Sequence, residues 1–512
     1  MLDGEHRAVF EQTLHVLLSK LETVTAILER LVRRLPEQDP SSLDVSYGPR
    51  RIKYAFKKNS LDKAIEELEI WQRVADYSWF LLMKMASPQV DVAIAKDNSS
   101  LATAIPSVLA IRDGIRDAGT QGTTNTPAVT FSAEELARMA IVPVPFCNAR
   151  LARRSTSAAP YILNDIRCPH ISKYQVVKKD TRDLARKLRH DEPQRFGLLS
   201  CKGFVVVVDN DAQETSSAAA PDVTFTMIFR TPPGVTSSPR SLRDLLLHAS
   251  TPSSLSTRFD IARELAKSVS YVHSFGFVHK NIRPESVLSF DHPGGSTTTT
   301  TYRPAALYLA GFENFRREDG WTSRQGDRTV ERNLYRHPSR QGSSPREDYV
   351  MQHDIYSLGV CLLEVGLWRG GGFIDYGPDG TTPTPSQALC LPPEATGPHV
   401  SSFLEMSGKD HLLSLTRSQL PEYMGTKYAG IVETCLTCLD PDNADFGDER
   451  EFEDADGIRV GARYIEKVSR TGSTLISQGF IRADDLGSAA SEPAICLGPC
   501  IPAQRSIRIE AL

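Results

Sequence analysis

The stretch Tyr271-Val-His-Ser-Phe-Gly-Phe-Val-His-Lys-Asn-Ile-Arg-Pro-Glu-Ser-Val-Leu288 decides the fold of the larger part of the chain. A helix is predicted to lead into it, because apolar residues recur there every three or four positions. These residues are Leu255, Phe259, Ala262, Leu265, Val269 and Val272. Gly276 supplies the left-handed residue at which such helices commonly end. A polar loop and the apolar pair Val287-Leu288 follow, so the stretch predicts a helix–loop–strand unit.

This unit resembles the catalytic loop of protein kinases, whose signature is His-Arg-Asp, then four further residues, then Asn. His279 stands at the signature His, which implies a structural role in the loop, and Lys280 stands at the Arg. Asn281 replaces the aspartate that accepts the substrate proton, and Ser286 replaces the asparagine that holds a metal ion. The resemblance therefore implies a protein kinase-like domain that has lost catalytic groups.

Two further positions extend this resemblance. A strand is predicted at 306–309, and Gly311-Phe312-Glu313 follows it where kinases carry Asp-Phe-Gly. Gly311 has no side-chain oxygen for Mg²⁺, whereas Phe312 is expected to pack in the core. Asp354 begins a predicted helix, and the resemblance implies that its carboxylate accepts N–H bonds from the catalytic loop.

The small lobe is predicted to begin with a strand at 174–177. Its end carries Lys179, which we prefer to Lys178 as the nucleotide-binding lysine, with an exposed charge at a strand end as the alternative. No glycine occurs between residues 146 and 174, so a Gly-rich phosphate loop is missing. The helix predicted next holds Asp183 but no glutamate to pair with the lysine. ATP binding stays open, and the lost carboxylates disfavour Mg²⁺.

The N-terminal part reads as a helical bundle. Leucines and valines at helical spacing predict one helix over 6–35, and a broad apolar stripe predicts another over 60–85. Five cations lie between them: Arg50, Arg51, Lys53, Lys57 and Lys58. They form either a contact for acidic lipid or polyanions or the solvated face of a helix.

The amino-acid sequence resembles that of a set of fungal proteins in five segments: 279–288, 309–313, 334–338, 354–360 and Leu61–Met85. In that set an N-terminal helical domain of the HeLo or prion-inhibition type precedes a degenerate kinase-like domain. The architecture is also similar to that of mixed lineage kinase domain-like proteins. The resemblance implies signalling in fungal cell death or incompatibility. One departure is the charged start, with Asp3, Glu5, Arg7 and Glu11, because killing HeLo domains open with an apolar or small-residue helix.

The predicted fold class is α+β, an all-α bundle followed by a bilobal protein kinase-like domain. The predicted boundaries are 1–86 for the bundle, 87–159 for a linker with short helices and 160–470 for the kinase-like domain. The small lobe covers about 160–235 and the large lobe about 236–470. A disordered tail is expected over 471–512.

Composition excludes several classes of protein. The net charge of −4 gives no general attraction to nucleic acid, and no apolar run has the ~18 residues of a membrane span. Nine cysteines suit a reducing compartment, so the expected location is cytoplasmic, with peripheral membrane contact left open. Cys435 and Cys438 are interpreted as structural rather than metal-binding, because no second pair follows at finger spacing.

Four functions remain open at this point. The leading hypothesis is a pseudokinase that acts as a scaffold or latch for the helical domain, with protein partners or self-association through that domain. The second is a divergent but active Ser/Thr kinase that uses Glu313 or Asp327 for metal. A membrane-active helical effector is the third. A partner-binding module with two inert domains is the fourth.

Overall fold

The computed structural model describes residues 15–28, positions 60, 61, 64 and 68, and residues 132–443 with short gaps. The gaps are 155–158, 190–192, 210–221, 234–237, 249–253, 291–305, 318–319, 321–325, 369–371, 378–379, 381 and 396. The chain divides into two compact units, residues 1–124 and 125–512. Each unit is described by itself.

The first unit is helical where the structure describes it. Residues 15–28 form helix α1, in which Val24 is buried while Leu18, Leu21 and Leu28 are exposed. Positions 60, 61, 64 and 68 are also helical. The five cations at 50–58, the part of the predicted linker before residue 132, residues 444–470 and the tail predicted over 471–512 lie outside the described residues.

The second unit is mixed α/β. Its strands are β1 (Ala140–Pro143), β2 (Arg150–Arg153), β3 (Tyr161–Arg167), β4 (Cys201–Asp209), β5 (Asp222–Arg230), β6 (Arg240–Ser241), β7 (Phe277–Val278), β8 (Val287–Phe290), β9 (Ala306–Leu309), β10 (Arg316–Arg317), β11 (Ile374–Tyr376) and β12 (Pro383–Pro385). Its helices are α2 (Ala133–Ala137), α3 (Tyr174–Lys187), α4 (Pro193–Phe196), α5 (Leu242–His248), α6 (Leu255–Ser274), α7 (Val330–Asn333), α8 (Met351–Leu367), α9 (Val400–Ser418), α10 (Leu420–Met424) and α11 (Thr426–Leu436).

The first five strands form one antiparallel sheet in the order β1-β2-β3-β5-β4. Strand β3 pairs with β5 from Tyr161–Arg230 to Arg167–Thr224. Buried residues from α2 and several strands form the core on one face of this sheet: Leu136, Met139, Ala152, Leu163, Val205 and Ile228. Because side chains alternate between the faces of a strand, this core lies on the side of the sheet that faces α2.

The predicted strand at 174–177 is wrong, because these residues begin the 14-residue helix α3. The buried residues of this helix are Asp180, Thr181, Leu184 and Ala185, the one-face spacing of a helix rather than the alternation of a strand. Lys179 consequently lies on the exposed surface of a helix and not at a strand end.

The sheet begins earlier than the sequence indicated. Strands β1 and β2 lie inside the stretch predicted as a linker, and β3 begins at Tyr161. Asn164 and Asp165 interrupt the apolar alternation of β3, which hid this strand from a reading by hydrophobic period. The predicted strands at 203–208 and 223–229 are confirmed as parts of β4 and β5.

Helices α6, α10 and α11 pack against α8, all seventeen residues of which are buried. Helix α11 approaches α8 closely at Gly359, where a Cβ would lie 2.8 Å from Cys435 Cβ. The predicted helix at 255–274 is confirmed, and Gly276 adopts a φ of 75° after it. The helix predicted over 428–439 is confirmed as α11, which ends three residues earlier, at Leu436. Helix α9 was not predicted. Among the described helices, none combines the length and the apolar character that crossing a membrane requires.

A buried ionic network joins α5, the loop before β8 and α8. Arg243 donates from Nε to Glu285 and from Nη1 to Glu364, both over 2.7 Å. Its Nη2 donates to the Tyr335 hydroxyl over 2.5 Å, and that hydroxyl donates to Glu364 over 2.6 Å. Burial alone would lower the pKa of Arg243, but the two carboxylates raise it well above its usual value.

Replacing this arginine is expected to lower the free energy of unfolding by more than the loss of an exposed ion pair does. Arg243→Met leaves two buried carboxylates without their shared cation, so we expect a loss of ~3–5 kcal/mol in the free energy of unfolding. Urea unfolding of the full chain measures this loss. Arg417→Met is the matched control, because its partner Glu433 and the guanidinium are 38% and 60% exposed. The control should lose less than ~1 kcal/mol; equal losses for both variants contradict the prediction.

Candidate functional site

Hydrogen bonds to one buried carboxylate hold the loop between β7 and β8. Asp354, at the start of α8, accepts the backbone N–H of His279 over 2.7 Å and that of Lys280 over 2.9 Å. The Tyr349 hydroxyl donates to the same carboxylate over 2.6 Å, and His273 Nε2 lies 3.0 Å away. Burial alone would raise the pKa of Asp354, but these hydrogen bonds lower it to about 2.

The loop can present two successive N–H groups to one carboxylate because Lys280 adopts a φ of +65°. This left-handed conformation is uncommon outside glycine. It persists where surrounding contacts fix it, and here the Asp354 carboxylate makes such contacts. The loop is therefore shaped by the carboxylate as much as by its own sequence.

His279 connects this loop to the Gly-Phe-Glu segment. Its Nε2 lies 2.8 Å from the carbonyl oxygen of Ala310, so this nitrogen carries the proton and donates it. The imidazole and the ring of Phe312 lie 4.8 Å apart, and Phe312 also stacks on Phe229 at 6.2 Å. Burial lowers the pKa of His279 to about 4, so the ring is neutral at physiological pH.

Both ends of the Asn281 side-chain amide make hydrogen bonds with neighbouring residues. Its Nδ2 donates to the carbonyl of Gly311 over 3.1 Å and also to the Glu313 carboxylate. Its Oδ1 accepts from Arg283 Nε over 3.0 Å. The side chain of Asn281 is thus a structural link between the loop and the Gly-Phe-Glu segment.

The two candidate metal positions are shaped by local geometry as well. Gly311 adopts a φ of +76°, and a Cβ there would lie only 2.7 Å from the Cβ of Ser286. The Ser286 hydroxyl donates to the carbonyl of Arg283 and accepts the backbone N–H of the same residue. Neither position offers a free oxygen ligand of the kind that Mg²⁺ requires.

The strand facing this site carries Asn164 rather than a lysine. Asn164 is fully buried in β3, and its Oδ1 lies 3.5 Å from the backbone nitrogen of Gly311. Its Nδ2 makes no hydrogen bond with the described residues. Sequence analysis sought the strand lysine at 178–179 and missed this residue, because β3 itself was missed. Asp183 on α3 pairs with Arg317 at 3.7 Å.

The two acids considered as replacement metal ligands differ in surroundings. Glu313 is close to Asn281 and Arg283, and burial raises its pKa. Asp327 pairs with Arg336 at 3.1 Å and with Arg332 at 3.4 Å. Burial alone would raise the pKa of Asp327, but these charges and the Thr329 hydrogen bonds lower it. Of the two, only Glu313 lies beside Asn281.

A cleft of about 250 Å³ opens between α3, the loop and the segment before α8. Six cationic side chains and two acidic ones line it, which makes it electropositive. The cations are Arg167, Lys173, Lys280, Arg316, Arg336 and Arg340. Burial and the charges of Arg316 and Arg340 lower the pKa of Lys280 to about 7.

His337, Glu347 and His353 lie close enough together to be considered as a metal site. The hydrogen bonds argue against it. His337 Nδ1 accepts the backbone N–H of Ser339, and His353 Nδ1 accepts that of Val350. In each neutral ring the proton therefore sits on Nε2, which leaves that nitrogen no lone pair for a metal. Cys435 and Cys438 are buried free thiols.

Comparison with known proteins supports a kinase-like region. A segment of 113 residues, 20% of this chain, is 31% identical to eukaryotic translation initiation factor 2-alpha kinase 1 of Rattus norvegicus. The match spans 16% of that protein. No protein-family model matches the chain. The similarity indicates a protein kinase-like domain.

The depressed pKa of Lys280 predicts a specific pH dependence. Its folded pKa of about 7 lies below the usual value of ~10.4, so the unfolded chain binds more protons between these values and stability rises with pH. Relative to Lys280→Met, the wild-type protein should gain ~1–2 kcal/mol between pH 7 and pH 9, a range that allows for partial exposure. Urea unfolding at both pH values tests this.

Lys179→Met is the matched control for that measurement. Lys179 is an exposed lysine on α3, so its replacement removes a lysine charge without changing the buried loop. If the stability difference between wild type and Lys280→Met does not change between pH 7 and pH 9, the prediction is wrong and Lys280 stays protonated throughout this range.

Proposed function

We propose that this protein is a pseudokinase, a protein kinase-like domain that does not transfer phosphate and acts as a scaffold or latch for the N-terminal helical segment. The observation that carries the proposal is the engagement of Asn281. Its amide donates to the Gly311 carbonyl and to Glu313, at the place where a kinase holds its catalytic base.

The chemistry of the amide supports this proposal. Phosphoryl transfer to a hydroxyl is helped by a carboxylate that takes the hydroxyl proton. An amide has no comparable proton affinity, and a general base contributes ~10²–10⁴-fold to the rate. With Nδ2 held by two acceptors, the amide also has little freedom to turn toward a substrate.

The metal positions support it independently. Kinases hold Mg²⁺ with the Asp of Asp-Phe-Gly and the Asn of the catalytic loop. Here Gly311 and Ser286 occupy these places, and their Cβ positions are too close for a larger side chain at 311. Restoring one carboxylate would therefore require the loop to move.

The scaffold role rests on the order of the two parts. The helical α1 precedes the kinase-like region and exposes Leu18, Leu21 and Leu28, apolar residues suited to a protein contact. The sequence resemblance to fungal HeLo-type proteins is the reason why we propose a role in signalling rather than in substrate turnover. Protein partners or self-association through this segment are part of the proposal.

Phosphotransfer by the full chain tests the proposal. Radiolabelled ATP is supplied with Mg²⁺ or Mn²⁺, and label is measured on the protein itself and on a basic protein substrate. We expect wild type to equal Asn281→Ala, because Asn281 contributes no general base. Lys179→Met should also be unchanged, because Lys179 lies on an exposed helix surface.

Transfer above the Asn281→Ala level would overturn the pseudokinase proposal. Glu313→Gln then identifies the cause, since Glu313 is the acid that contacts Asn281. Loss of that transfer in Glu313→Gln would establish a divergent active kinase that relies on this carboxylate.

A further inference from the structure

The loop between β1 and β2, residues 144–149, is held by contacts on both sides. The hairpin closes with the backbone N–H of Val144 donating to the carbonyl of Ala149 over 3.1 Å. The loop contains no glycine, yet Phe146 adopts a φ of +49°. A left-handed conformation at an aromatic residue is a strained state that surrounding contacts must maintain.

Those contacts come from the helical part of the unit rather than from the sheet. The Ser241 hydroxyl, at the start of α5, donates to the carbonyl of Pro145 over 2.9 Å. The ring of Phe146 lies 4.9 Å from that of Tyr376 and 5.8 Å from that of His248. The loop therefore reaches across from the sheet to α5 and to β11.

Tyr376 connects the ring of Phe146 to the loop between β7 and β8. Its hydroxyl donates to Glu285 Oε1 over 3.2 Å, and Glu285 is held in turn by Arg243. The position of the Tyr376 ring is therefore fixed by the buried ionic network. Phe146 packs on an aromatic ring that is itself anchored.

The tip of the loop lies over the site. Cys147 is half-buried and lies near the charges of Glu313, Arg283 and Glu285, and the part of its surroundings that excludes water raises the pKa of its thiol. The Asn148 side chain hydrogen-bonds to Glu313. In kinases the corresponding turn covers the phosphates of ATP and needs glycines to come close to them. Here the turn itself packs against the residues that line that space.

We propose that the 144–149 loop is an internal plug that excludes nucleoside triphosphate from the space between this loop and Asn281, and that the contact of Phe146 with Tyr376 latches it. The inference rests on the proposed function, because it takes the space between this loop and Asn281 to be the nucleotide cleft. It goes beyond that function because it predicts that nucleotide can enter this space only when the contact between Phe146 and Tyr376 opens.

Binding of a fluorescent ATP analogue to the full chain tests the plug. Wild type should bind weakly, whereas Phe146→Ala should bind at least ~10-fold more tightly, because truncation of the ring removes the latch. Tyr376→Ala truncates the other side of the contact and should give the same gain. Phe403→Ala is the matched control, because Phe403 is also a half-buried aromatic ring beside a histidine, His411 at 5.7 Å. It should bind as wild type does.

Thiol labelling provides a second readout that does not depend on nucleotide. Mass spectrometry of the peptide containing Cys147 reports how fast a maleimide modifies this thiol. Opening the plug should expose Cys147 and speed its modification at least ~10-fold in Phe146→Ala and Tyr376→Ala, with no change in Phe403→Ala. Circular dichroism selects the variants that keep the wild-type fold.

The outcomes separate the plug from the proposed function. Tight binding by wild type, or unchanged binding and labelling in both folded latch variants, overturns the plug. Binding without phosphotransfer in the latch variants supports both the plug and the pseudokinase. Phosphotransfer by Phe146→Ala supports the plug and overturns the pseudokinase.

Discussion

The site of this protein depends on one buried carboxylate. Asp354 is fully buried and accepts hydrogen bonds from two successive backbone N–H groups and a tyrosine hydroxyl, beside a histidine nitrogen. A buried charge without partners would be very costly, so every one of these donors is required by the burial itself. The carboxylate thereby forces the left-handed turn at Lys280 and fixes where Asn281 stands. Loop, helix α8 and the end of helix α6 form one arrangement around a single negative charge.

A second buried network holds the surroundings of this loop. Arg243 joins Glu285, which lies in the loop, to Glu364 on α8, and Glu285 also accepts from Tyr376. The same group of charges therefore orients the loop and the ring on which Phe146 packs. Such networks contribute less to net stability than to the choice of one arrangement, because desolvation offsets much of the attraction. The groups that hold this region together are carboxylate and cationic side chains, whereas Asn281, Ser286 and Gly311 are uncharged.

Sequence reasoning succeeded where a local signal was strong. The helix at 255–274, its glycine end and the strands within β4 and β5 follow from hydrophobic period and turn residues. It failed at 174–177, where three apolar or aromatic side chains within four residues suggested a strand, although the following residues continue a helical face. It also missed β1 to β3, because short strands with polar residues such as Asn164 carry a weak periodic signal. The nucleotide-lysine hypothesis at Lys179 rested on that misplaced strand.

The sequence by itself determined which reactive groups are present at the site. An amide at 281 and a glycine at 311 provide no carboxylate in any fold, so the sequence alone shows that these two positions lack one. Only the tertiary structure decided what these residues do instead. Three contacts join residues that are distant in sequence. Asn281 hydrogen-bonds to Gly311 and Glu313. Asn164 faces the same glycine, and Phe146 packs on Tyr376. Such contacts depend on how strands and helices pack, which no local pattern of residues specifies.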